Sequence, residues 1–361
     1  MKYTSDHLLL QDTLRRFLEE HVSMEYRKTR VSTGTRVDSG LLKEIDTLGL
    51  SEGFRGPNAP FGFIELGILA HECGRALMPE PIVDRLLVEC CLPLMLSAES
   101  DGFLSAAFLK DGRAPGAVSI AAARPLVCSV TTGSNDLVSG TIDWVAGVEG
   151  ASHLLLWLTD ESNEAAFPGQ PLAALVSCSH PGVVSRDVPS LDLLTSSRSV
   201  KLSDVPATRL SLAASTLLEQ CLDLVGALEA AGICERVLEI TCGYVRVREQ
   251  FGVPIGGFQA LQHSMANAYA QSESLSALAR FGAWSVVSSP EQIPLVSRAA
   301  SLHGAVVGPA VCEAAIQAHG GIGFTWEYEL HLYLRRAQTI AALYRWDERR
   351  VAHLLNKAVV C

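Results

Sequence analysis

The chain has 361 residues, of which 48% are hydrophobic and 19% charged. That balance belongs to a folded protein of two or three domains and excludes a disordered one. With 29 Lys and Arg against 39 Asp and Glu, the formal net charge of −10 argues against a broad nucleic-acid surface.

Residues 1 to 100 read as helical. In His7–Glu20 the apolar residues Leu8, Leu9, Leu14, Phe17 and Leu18 recur at helical spacing with charges between them. Leu41–Leu48 predicts a short second helix, the turn-rich stretch Gly53–Gly62 follows, and Ile64–Leu77 predicts a third. Pro79 and Pro81 precede a further apolar helix. No membrane span is expected, because the apolar run Leu86–Leu96 is broken by Glu89 and Pro93. The N-terminus becomes charged too early for a signal peptide. From 101 to 209 the β-rich runs Leu126–Val130, Leu154–Leu158, Ala173–Val176 and Val200–Leu202 alternate with Gly, Pro, Ser and Asn turns. From 210 to 361 four long helices are expected, over Leu212–Gln250, His263–Val287, Leu295–Ala318 and Trp326–Lys357. The expected fold class is α+β multi-domain: an N-terminal helical domain (1–100), a middle β-barrel or sandwich (101–209) and a C-terminal four-helix bundle (210–361).

None of the ten cysteines lies in a Cys-x-x-Cys pair, and Cys90 and Cys91 are adjacent. Free buried thiols in a reducing cytosol are the simplest reading. No metal site is expected, because no set of Cys and His has ligand spacing.

Three segments can carry chemistry. In the first, Arg246 and Arg248 sit on a helix expected to end at Gly252, before a Pro/Gly turn leads through Phe258-Gln259 into the next helix. An arginine fork beside such a turn suits a phosphate or pyrophosphate; equally, basic residues at a helix C-terminus offset its dipole. In the second, Gln317-Ala-His-Gly320-Gly321-Ile-Gly323, three glycines end one helix and Thr325 can cap the next. The glycines admit a ligand to the backbone or merely turn the chain, and His319 reads as a structural, hydrogen-bonded histidine. In the third, Ser139–Gly147 is a strand carrying Trp144, which is either core or stacked on a planar ring.

Together, the order of regions and the segments VREQFGVPIGGFQALQHSMANAY and QAHGGIGFTWEYELHLYLRRAQT resemble the acyl-CoA dehydrogenase family over nearly the whole chain. Leu41–Leu50, Leu66–Pro79 and Asp204–Thr208 fit the same resemblance. It implies FAD as cofactor, acyl-CoA as substrate, and a flavin site shared by two subunits. The isoalloxazine ring lies in one protomer, and the pyrophosphate and adenine lie against its neighbour. Matching the neighbour's part are Arg248, Gln250, Phe251, Gln317, Gly320 and Gly321; Trp144 matches the tryptophan that flanks the ring.

The chain departs from the family at the base. The family removes the substrate α-proton with a glutamate in a Tyr-Glu-Gly-Thr sequence, and ungapped counting from Arg335 places Tyr344 there, with no Gly-Thr after it. Some members carry the base on the first helix of the last domain, where this chain has Leu222. The nearby carboxylates Asp223, Asp347 and Glu348 read as solvated helix-face charges. The flavin-binding Thr-Glu-Pro segment corresponds to Val118–Pro125, and Ala146 replaces a hydroxyl that meets the flavin. No catalytic residue is therefore expected. The resemblance implies the non-catalytic subunit of a cytoplasmic heteromeric α2β2 dehydrogenase for bulky, steroid-type acyl-CoA thioesters. A second subunit would carry the glutamate, and electron-transfer flavoprotein or a similar acceptor would take the electrons. Two alternatives stand beside it: a homomeric dehydrogenase with Asp347, Glu348 or Asp223 as base, and a flavin-free scaffold or acyl-binding homologue.

Overall fold

The computed structural model describes residues 2–34, 38–54, 59–79, 82–87, 90–91, 120–122, 128–132, 136–149, 151–158 and 172–343. Helix α1 (Ser5–His21) opens on a capping box in which the Thr4 hydroxyl accepts from the His7 amide and the His7 ring accepts from the Thr4 amide. Leu14 and Leu18 bury its apolar stripe. Helix α2 (Met24–Thr33) has no counterpart in the sequence expectation, and its composition explains why: its buried positions are Arg27 and Arg30. Arg27 donates to the carbonyl of Ala76 at 2.8 Å and pairs with Glu329, and Arg30 donates to the carbonyl of Leu194. A helix that buries guanidinium groups carries no hydrophobic period. Helices α3 (Ser39–Asp46), α4 (Leu50–Gly53) and α5 (Phe63–Ala76) follow, nearly all of α5 is buried, and residues 82–87 are helical, where the further helix after Pro81 is expected.

Among the described residues seven strands follow: β1 (Ile120–Ala122), β2 (Cys128–Thr132), β3 (Leu137–Ala146), β4 (His153–Leu158), β5 (Leu172–Ser177), β6 (Val183–Asp187) and β7 (Ser197–Arg209). The pairings β4–β2–β3–β7–β5–β4 run in a closed circuit, so the sheet is a barrel with no free edge around that ring. Strand β1 adds to β4, and β6 adds to β7. Strand β6, Val-Val-Ser-Arg-Asp, is exposed or half-buried throughout and lacks the apolar run that marks the others.

The last region is helical: α6 (Leu212–Val247), α7 (Gln259–Ser288), α8 (Ile293–His319) and α9 (Leu330–Leu343). Ser211 caps α6 through the Ala214 amide. The stretch Pro290–Phe324 is long and apolar enough to cross a membrane by length and composition, but here α8 within it packs against α6, α7 and α9. Helix α5 lies directly on α6. A Cβ on Gly232 would sit 1.9 Å from the His71 carbonyl oxygen, and one on Gly74 would sit 2.1 Å from that of Glu229, so only glycine permits the crossing. Several expected boundaries move: α6 ends at Val247, short of both Gln250 and Gly252, α7 starts at Gln259 instead of His263, and α9 starts at Leu330 instead of Trp326.

Candidate functional site

The end of α6 is shaped by its cap. Arg248 leaves helical geometry (φ −75°, ψ 122°) while its amide still donates to the Tyr244 carbonyl. The chain then forms a two-stranded hairpin, β8 (Glu249–Gln250) with β9 (Val253–Pro254), so Gln250 stands on a strand and not on the expected helix. Phe251 (φ +56°) and Gly252 (φ +80°) form its tip, both left-handed. A bulky residue there is strained, and Phe251 is also 93% exposed, its ring edge-on to Phe258 at 6.2 Å. The Ile255 amide closes the hairpin on the Arg248 carbonyl at 2.8 Å.

The end of α8 is built differently. Gly320 (φ +65°) stops the helix, and a 3-10 turn runs Gly320–Phe324. A Cβ at Gly320 or Gly321 would meet no atom within 4 Å, whereas one at Gly323 would press on the Ile316 carbonyl at 3.0 Å. Gly323 serves packing, and Gly320 and Gly321 leave an open face. Thr325 does not cap α9 as expected; its hydroxyl donates back to the Ile322 carbonyl, and α9 begins five residues later at Leu330.

Aromatic rings join the two ends. Tyr244 stacks on His319 at 4.2 Å, and Tyr328 meets both edge-on. The His319 Nδ1–H donates to the Ala315 carbonyl at 2.8 Å; burial pushes the ring's pKa down, against the effect of that bond, so it is a neutral structural histidine. The ring stack joins α6 one turn before Arg248 to α8 at the residue before Gly320; Arg248, Gln250 and Phe251 follow on one side and Gln317, Gly320 and Gly321 flank His319 on the other. All six candidates are exposed. Val247, Phe324 (68% exposed) and Trp326 extend the surface with apolar side chains that sequence reasoning passed over, although aromatics beside a glycine turn were a readable signal. Trp144 is carried by the barrel instead, half-buried on β3, with Ala146 buried two residues on.

The exposed groups include donors of the kind that a pyrophosphate accepts from. They comprise a guanidinium, two side-chain amides, and a backbone face whose missing Cβ atoms leave room for close approach.

At the alternative base position, Leu222 is buried in α6. Its neighbour Asp223 is not the solvated charge expected: it is buried, and its Oδ2 accepts from Arg298 Nη1 at 2.8 Å. Arg298 Nη2 also lies 2.8 Å from Glu219 Oε1. Burial lowers the Arg298 pKa, but Asp223 and Glu219 outweigh that and keep the guanidinium charged. Arg298, on α8, is the partner that no local motif announced. Tyr344, Asp347, Glu348 and most of Val118–Pro125 lie outside the described residues.

The family model "Acyl-CoA dehydrogenase, C-terminal domain" matches residues 223–343. The chain is 30% identical to the acyl-CoA dehydrogenase IpdE2 of Mycobacterium tuberculosis, over 77% of this chain and 73% of that protein. It is 29% identical to the much longer FadE34 of the same organism over 82% of this chain, but spans only 38% of FadE34. In fold it is similar to a variant of the Tcur3481-Tcur3483 steroid ACAD (TM-score 0.84, 23% identity, 99% of both chains). It is likewise similar to the ChsE4-ChsE5 complex from Mycobacterium tuberculosis (TM-score 0.82, 20% identity, 99% of this chain and 98% of that one).

Proposed function

The chain belongs to the acyl-CoA dehydrogenase family, and we propose that it serves there as the non-catalytic subunit of a heteromeric enzyme, presenting the joined ends of α6 and α8 to a partner's FAD. The family consists of FAD-dependent oxidoreductases acting on CH–CH bonds. Bound FAD supplies the hydride acceptor for the substrate β-carbon. This chain's own residues bind and orient. The Arg248 fork donates to pyrophosphate oxygens, Gln250 and Gln317 add amide donors, and Gly320 and Gly321 let the backbone approach. Phe251, held exposed at the hairpin tip, offers an apolar contact that the free chain leaves in water.

The observation that carries the reading is the contrast between that open surface and the α6 base position. There the side chain is Leu222, and the adjacent carboxylate of Asp223 is committed to Arg298. A general base needs a carboxylate free to meet the substrate α-proton. The glutamate would come from a second subunit. A bulky acyl-CoA thioester of the steroid side-chain class is the proposed substrate, with electron-transfer flavoprotein or a similar protein as acceptor and the cytoplasm as location. Of the two structural neighbours, one is named as a steroid enzyme and the other is a complex of two differently named chains; both support the reading.

The test is expression with and without a glutamate-bearing homologue. Alone, the chain should purify colourless or aggregate. Together, the two should co-purify with flavin and dehydrogenate an acyl-CoA with an artificial acceptor. A stoichiometrically yellow, active preparation of this chain alone would overturn the proposal in favour of a homomeric enzyme. A complex that stays colourless under flavin would point to a scaffold.

A further inference from the structure

We infer that His71 is held as an imidazolium and forms a pH-sensitive latch between the N-terminal helices and the bundle. His71 is buried on α5, and both its ring nitrogens face carboxylates. Nδ1 lies 3.1 Å from Glu72 Oε1, and Nε2 lies 3.1 Å from Glu235 Oε2 on α6. An ionised carboxylate only accepts hydrogen bonds, so each contact requires a proton on the ring, and two protonated nitrogens make the cation.

The surroundings match in charge. From α1, Arg15 donates to both oxygens of Glu72 at 3.0 and 2.9 Å, and Gln11 donates to Oε1 at 2.8 Å. On α5 itself, Arg75 meets Glu235 at 2.6 Å and Glu239 at 2.9 Å. From α6 come Glu235 and Glu239, with Arg236 pairing Glu239 at the rim. Tyr3 near the chain start and Arg280 on α7 also face the cluster. Arg15, Arg75 and Arg236 by themselves match Glu72, Glu235 and Glu239 in charge, so the direct contacts are what hold the proton: a neutral ring would turn a lone pair toward a carboxylate oxygen. The cluster lies beside the close crossing of α5 and α6 at Gly74 and Gly232.

Burial pushes the His71 pKa down, but the bonds to Glu235 and Glu72 and their charges outweigh it, and the net shift is upward. The sign follows from linkage. The latch contributes in full below the ordinary value of 6.5 and is lost as pH rises through the elevated pKa. Glu72 supplies the acid limb. Burial pushes it up, yet His71 and Arg15 hold it at about 2, so its contribution is complete above the ordinary value of 4.5 and is lost as pH falls from there through the lowered value.

The test uses the chain, with its partner subunit if it needs one, labelled at the histidine rings. NMR should find the His71 ring with both nitrogens protonated at pH 7. Raising the pH should titrate that ring and, at the same point, speed hydrogen exchange of the α1 and α5 amides. Glu235→Gln, at a half-exposed position that tolerates the change, should move both events to lower pH. His71→Gln should flatten the alkaline fall of the unfolding midpoint. A neutral ring at pH 7 would overturn the inference, as would an exchange profile indifferent to Glu235→Gln. If His71→Gln does not fold, the ring titration and Glu235→Gln still decide.

Discussion

Arg248 occupies the cap of α6, exposed beside a hairpin whose tip is strained, and its value lies in what it can meet outside this chain. A charge-assisted contact to pyrophosphate is worth roughly 1.5–3 kcal/mol. Arg248→Ala should therefore weaken flavin retention in the assembled complex by about ten- to a hundredfold. Fluorescence titration at sub-saturating flavin measures this; unchanged affinity would make Arg248 a helix-end charge and nothing more. Asp223 is the opposite case, a carboxylate turned inward. Asp223→Asn removes charge from a buried pair while Glu219 still holds Arg298. Stability should fall by about 1–3 kcal/mol. Turnover with the partner should stay far inside the ~10²–10⁴-fold loss that removing a general base causes. Urea unfolding and single-turnover kinetics separate the two effects, and a hundredfold slower chemical step with flavin intact would make Asp223 the base.

At the scale of elements, the contact of α5 with α6 leaves no room for a side chain at Gly74 or Gly232. Gly232→Ala would drive a methyl into the His71 carbonyl and force the two helices apart, at a cost of at least ~1–3 kcal/mol. Gly243, later on the same helix, has no atom within 4 Å of an added Cβ. Gly243→Ala should stabilise by about 0.5–1 kcal/mol through helix propensity. Opposite shifts of the urea midpoint are expected from one residue change made twice on one helix. Two losses of the same sign would mean that the crossing is not what Gly232 serves. The period-3.6 pattern of α1 was readable because its buried residues are Leu14 and Leu18, and α5 was readable from its largely apolar run Phe63–Ala70 although it also buries His71, Glu72 and Arg75. Helix α2 and strand β6 were not, since one buries arginines and the other buries little.

Across the whole molecule, single guanidinium groups tie distant regions together. Arg336 on α9 donates to Glu229 on α6 at 2.7 Å, to the Met78 carbonyl at 3.1 Å and to Thr195 at 2.9 Å, and it pairs with Asp192. Arg27 links α2 to Glu329 ahead of α9. These bonds are satisfied within the chain, whereas large apolar side chains such as Val247, Phe251, Phe324 and Trp326, and Leu8, Leu9 and Phe281 elsewhere, are left to water. The poor solubility or absent flavin expected of the isolated chain follows from that exposed apolar surface.

By itself the sequence determined the succession of helical, β and helical regions, and it singled out the two motifs, Arg248–Phe251 and Gln317–Gly321, that are proposed to form the cofactor face. Those are local properties: hydrophobic period, turn chemistry and residue type act over a few neighbours. Only the tertiary structure decided that the helix ends carrying the two motifs are joined through Tyr244, His319 and Tyr328. It alone decided that Asp223 belongs to Arg298, and that His71 stands between Glu72 and Glu235. Asp223–Arg298 and His71–Glu235 join residues far apart along the chain, and whether a charge is solvated or clamped depends on which helix packs against it. No window of sequence contains that information.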